Sequence, residues 1–111
     1  MAGKTLAWLG GTEEEVARGA LRGQLLSLEG QWRDRDNGSL YTLVLHGQEF
    51  VDVLTVRASG ARRQTSKLIR ACFERGAVVW TSSRGGFVLT LGFETATWTR
   101  GARRFVWDKL P

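Results

Sequence analysis

A chain of 111 residues, 42% hydrophobic and 24% charged, has the size and composition of one globular domain over residues 1–111, which excludes wholesale disorder. Sixteen Lys and Arg against eleven Asp and Glu give a net charge of +5, nearly all of it arginine, since Lys4, Lys67 and Lys109 are the only lysines. The lone Cys72 excludes an internal disulfide, and one histidine with one cysteine cannot form a structural zinc site, so neither metal nor cofactor is expected.

Lys4 to Leu9 reads as a short first strand, broken by Gly10-Gly11. Thr12-Glu13-Glu14-Glu15 is a capping box, with three carboxylates at the positive end of the helix dipole, and predicts a helix over Glu13–Leu21. Gly19 and Gly23 weaken its continuation, so Leu21–Leu28 reads either as more helix or as the start of a strand, and Gln24–Trp32 takes the first strand place. Asn37-Gly38 is a strong hairpin signal and returns the chain through Leu40–His46. Gly47-Gln48 then turns it into Phe50–Val56, rich in β-branched residues.

Between Ser59 and Ser83 the spacing of Leu68, Ile69, Cys72 and Phe73 predicts a helix over Ala61–Arg75, closed by Gly76 in the C′ place. Ala77–Ser83 follows as a strand, Arg84-Gly85-Gly86 as a turn, and Phe87, Leu89, Leu91 and Phe93 as one face of a period-two strand. Thr95–Thr99 and Phe105–Trp107 add short strands around Gly101-Ala102-Arg103-Arg104. The expected class is α+β and β-rich. The order βββαββ resembles the five-stranded OB barrel, with a short N-terminal strand and helix as an extension. An open antiparallel sheet with helices on one face satisfies the same pattern.

Five tryptophans, Trp8, Trp32, Trp80, Trp98 and Trp107, are the second compositional outlier. Tryptophan is first of all a packing residue, and Trp80, at the end of an apolar run, is assigned to the core. Trp98, among threonines near Arg100, and Trp32, before Arg33-Asp34-Arg35-Asp36, are read as candidate stacking platforms. Arg62, Arg63, Lys67 and Arg70 on the expected helix, with Arg84, Arg100, Arg103 and Arg104 on the later turns, are the candidate phosphate contacts. A merely solvated face, or codon usage that inflates arginine, accounts for the charge equally well.

His46 stands alone, and Asp52 and Glu49 lie near it mainly because the hairpin places them so; Asp34, Asp36 and Asn37 are explained by the turn. No nucleophile elbow, P-loop or dinucleotide fingerprint occurs, so no catalytic residue is named. The expectation is a non-enzymatic nucleic-acid-binding protein preferring single-stranded DNA or RNA. The alternative is a protein-interaction module, an inhibitor, adaptor or homo-oligomer subunit, anchored by Trp and Arg. No apolar stretch has the length of a membrane span or a leader, and a reducing, cytoplasmic location fits the lone cysteine.

Overall fold

The structure, a computed structural model, describes residues 12–82 and 85–111. The expected strand at Lys4–Leu9, Trp8 and Arg84 lie outside the described residues. Helix α1 spans Glu13–Leu28, and its Thr12 Oγ1 accepts the Glu15 backbone N–H at 3.1 Å, as the capping box requires. The helix therefore continues through the region read as the start of a strand at Gln24–Trp32. Leu21, Leu25 and Leu28 fall at i, i+4 and i+7 and are buried. Each buried leucine is worth about 1.5–3 kcal/mol, against about 1 kcal/mol for each helical glycine, so packing outweighs Gly19 and Gly23.

Eight strands follow: β1 Gly30–Asp34, β2 Leu40–His46, β3 Phe50–Val56, β4 Arg62–Cys72, β5 Ala77–Ser82, β6 Gly85–Gly92, β7 Thr95–Arg100 and β8 Arg103–Lys109. Each is antiparallel to the next, and β8 returns to β1 to close a barrel in sequence order. Closure removes the exposed edges that an open sheet would leave. An eight-stranded barrel is just wide enough for side chains to fill it, and here Trp32, Tyr41, Trp98 and Trp107 share the interior with aliphatic side chains such as Leu43, Val51, Val53 and Ile69.

The helix expected over Ala61–Arg75 is β4, which replaces the βββαββ order, among the described residues, with one helix followed by eight strands. Arg, Gln, Lys and Leu favour helix locally, but strand pairing with β3 and β5 satisfies this segment's backbone and closes the barrel. The strand is irregular where it crosses β3. Val53 pairs with Thr65 and Val51 with Ile69, so Ser66, Lys67 and Leu68 together face Asp52 in a bulge. Gly76 does take a left-handed φ of 62°, but in the β4–β5 hairpin, where its N–H donates to Phe73 O at 3.2 Å. The Asn37-Gly38 hairpin forms as expected, with Gly38 at φ 73°. Phe93, read as part of the β6 face, lies beyond the strand end and is 91% exposed.

Asp52 holds the bulge. Its Oδ1 accepts the Lys67 backbone N–H at 2.8 Å and the Ser66 hydroxyl at 3.1 Å, and stands 2.9 Å from His46 Nδ1. Lys67 sits at φ 56°, a conformation costing a non-glycine residue about 1–2 kcal/mol, so the bulge needs this anchor. The Lys67 N–H first, then His46 and Ser66, hold the Asp52 carboxyl below its ordinary 3.8, against some opposing desolvation. Asp108, gripped by both Arg35 Nη2 at 2.7 Å and Nε at 3.2 Å, is also lowered, chiefly by that hydrogen bonding.

A carboxyl lowered on folding stabilises above its unfolded pKa and loses that contribution as pH falls through the folded value. Melting temperature should therefore fall below about pH 4. Asp52→Asn should melt lower than the parent at pH 7 and approach it in acid. An acid limb of the same depth in both proteins would contradict the anchoring role.

Candidate functional site

The two barrel ends differ. At one, α1 packs against β2, β4 and β5, and Leu21, Leu25 and Leu28 join the barrel's hydrophobic core. Its C-terminus is tied down there: Trp32 Nε1 donates to Leu28 O at 2.8 Å, and Lys109 Nζ reaches Ser27 O and Glu29 O at 3.2 Å each. A cation over the last carbonyls also complements the helix dipole. This end is stoppered.

The other end carries the β1–β2, β3–β4 and β7–β8 turns, and no described residue covers it. Directly paired residues share a face of the sheet, so register identifies what points inward. Trp32 pairs with Tyr41, Tyr41 with Thr55, Thr55 with Arg63, Trp80 with Phe87, Leu89 with Trp98, Trp98 with Phe105 and Arg100 with Arg103. The inward rows thus run from aromatic rings in the middle to arginines at the rim.

Within the barrel the rings touch. Tyr41 stacks on Trp107 at 4.3 Å and 20°, and Trp80 stands edge-on to Trp107 at 5.2 Å and to Trp98 at 5.6 Å. Above them a recess of about 430 Å³ has aromatic walls of Tyr41, Trp80, Phe87 and Phe105 and a polar edge of Asp34, Asp36, Asn37, Arg57 and Arg103. A second, of about 320 Å³, shares Tyr41, Arg57 and Trp80 and adds Arg63, Thr55 and Thr65.

Arg57, Arg63 and Arg103 are exposed, while Asp34 is 5% exposed. Asp34 Oδ1 accepts the backbone N–H groups of Asp36 at 2.9 Å and Asn37 at 3.1 Å, so this carboxylate also shapes the turn at the rim. Burial, then the charge of Asp34, push the Tyr41 hydroxyl up, while Arg57 and a hydrogen bond with Ser39 pull the other way. Tyr41 therefore remains a neutral hydroxyl at the mouth.

The sequence-named residues divide. Arg63, Arg100 and Arg103 are brought to the mouth, and the Arg100 guanidinium lies 4.9 Å over the Phe87 ring. Arg62, Arg70 and Arg104 alternate with inward residues and lie on the outer face, all exposed, while exposed Lys67 sits in the bulge. β4 and β8 are four strands apart around the barrel, so these cations do not share one phosphate-tracking groove.

Trp32 is 2% exposed with its N–H already engaged, and Trp98 is 0% exposed. Neither is the surface stacking platform expected of it. A 111-residue barrel has few positions large enough to hide an indole, and a polar sequence neighbourhood on alternate positions says nothing about the inward face. Sequence does not single out Arg57, Tyr41 or Phe105, and it assigns Asp34 only to the turn. The signal that finds them is period two: Thr55/Arg57, Trp98/Arg100 and Arg103/Phe105/Trp107 each place an arginine at the strand end of an inward row.

On the outer wall, His46, Asp52 and Ser66 meet, but Ser66 Oγ at 3.5 Å and Asp52 both approach Nδ1. A relay needs the base to use different nitrogens for its two partners, so this trio lacks triad geometry. Among the described residues no group of His, Cys, Asp and Glu could hold a metal ion, and no helix is long and apolar enough to cross a membrane. Comparisons with family models, with curated proteins and with solved structures each find no match for the chain.

Proposed function

We propose that this protein is a non-catalytic binding barrel for a small anionic ligand with a planar aromatic portion. The observation that carries the reading is the mouth opposite the helix-stoppered base, where Arg57 and Arg103, with Asp34 and Asp36, edge a recess walled by Tyr41, Trp80, Phe87 and Phe105, and Arg57 and Arg63 edge the adjoining one. Guanidinium forks suit carboxylate, sulfonate or phosphate, and aromatic walls suit a flat apolar body. A recess of about 430 Å³ lies in the range of small-molecule sites.

The test compares naphthalene-2-sulfonate with its neutral sulfonamide, followed through tryptophan emission. The sulfonate is expected to bind about tenfold tighter or more, as charge-assisted bonds imply, with the gap closing as salt is raised. Equal affinities, or no binding of either, would refute the reading.

Single-stranded nucleic acid is a second source of the same chemistry. One observation favours it: the β3–β4 hairpin carries Arg57, Arg62 and Arg63 beside the mouth, so phosphates next to a terminal base would meet further cations. Displacement of naphthalene-2-sulfonate by a short oligothymidylate, but not by thymidine monophosphate, would select that source.

A further inference from the structure

Two polar atoms inside the barrel have no partner among the described residues. The indole N–H groups of Trp98 and Trp107 are both buried and unbonded, in side chains that are 0% exposed. Trp32, the third large buried indole, donates to Leu28 O, so burial alone does not force the deficit. A buried donor without an acceptor costs about 1–3 kcal/mol, and a fold that packs two phenylalanine-sized rings here would avoid the cost entirely. The neighbouring ring faces offer partial compensation, since Trp98 and Trp107 meet at 5.3 Å and 61°, but such contacts are worth about 0.5–1 kcal/mol.

The two indoles lie directly behind the recess walls. Trp107 stacks on Tyr41, and Trp98 lies at 23° to Phe105 with centroids 6.4 Å apart. Trp80, half-buried, lines both recesses and stands edge-on to both indoles. Neither Trp98 nor Trp107 lines a recess in the unliganded barrel, so a ligand reaches the indoles only if Trp80 turns aside.

Resting on the reading of the mouth as an anion-binding site, we propose that the Trp98 and Trp107 N–H groups form its inner half. The ligand is then two-ended: an anionic group meets the rim arginines, and an aromatic body carries hydrogen-bond acceptors without donors, such as ring carbonyls, to the indoles. A pure hydrocarbon body would leave both donors unpaired, and a donor-bearing one would oppose them.

Anthraquinone-2-sulfonate and anthracene-2-sulfonate share the anion and the tricyclic frame and differ in the two carbonyls. The wild-type protein is expected to prefer the quinone about tenfold or more, the fold-change of one buried bond made or lost. The two indole Hε1 proton resonances should move downfield with the quinone and not with the hydrocarbon. In Trp98→Phe and Trp107→Phe the preference should shrink while anthracene-2-sulfonate binding persists.

Equal affinity of the two compounds with unmoved indole resonances would overturn the inner-site assignment and leave the arginine mouth standing. Binding of neither compound would overturn both. The wild-type comparison decides the question even if a variant fails to fold.

Discussion

Replacing Trp107 by alanine is expected to remove about 3–5 kcal/mol of stability, a large share of the 5–15 kcal/mol that holds a domain of this size together. Trp107 is 0% exposed and is the hub of the barrel's aromatic cluster, in contact with Trp32, Tyr41, Trp80, Trp98 and Phe105. It also sits where the barrel closes, on β8 opposite Asp34 of β1 and Ala96 of β7. Truncation therefore leaves a cavity at the one seam that joins the two ends of the sheet. Urea denaturation reads the loss as a lower midpoint at unchanged slope. Trp107→Phe keeps most of the volume and discards an unpaired donor, so it should cost far less. A Trp107→Ala midpoint within the error of the parent would show that the closing seam does not depend on this ring.

The second large effect concerns binding. Arg57→Gln and Arg103→Gln should each weaken naphthalene-2-sulfonate by about tenfold, and the double variant by up to about a hundredfold, because each removes a charge-assisted partner from the same recess. Both guanidinium groups are solvent-exposed in the unliganded barrel, so melting temperature should hardly move. Arg104→Gln, one residue along β8 from Arg103 and on the outer face, serves as the control. Equal losses at Arg104 and Arg103 would mean that net charge, not the mouth, attracts the anion.

Much of this fold was legible in residues alone wherever the determinant is local. Thr12 with Glu15, the Asn37-Gly38 turn, the runs Leu40–His46 and Phe50–Val56, and the alternation after Phe87 each carry their own geometric signal, and each forms the expected element. The site was legible only in fragments. Arg63, Arg100 and Arg103 are among the named cations, but Arg57 has no local feature to set it apart, Asp34 is legible only as a turn residue, and the polar neighbours that make Trp32 and Trp98 candidate platforms surround two buried rings. Polar sequence neighbours describe the outer wall of a strand and leave its inward row unmarked.

The sequence by itself determined a β-rich chain, a capped N-terminal helix, an arginine excess and a set of indoles that had to be placed somewhere. Only the tertiary structure decided that Arg62–Cys72 is a strand, that α1 runs on to Leu28, and that β8 pairs with β1. The reason is common to all three. Each outcome is set by partners far away in the chain: β3 and β5 for β4, the barrel base for α1, and the last strand for the first. Those pairings and burials, worth several kcal/mol, override propensities of about a kcal/mol or less per residue. The same closure turns Trp32, Trp80, Trp98 and Trp107 inward and brings Arg57, Arg63, Arg100 and Arg103 to one rim.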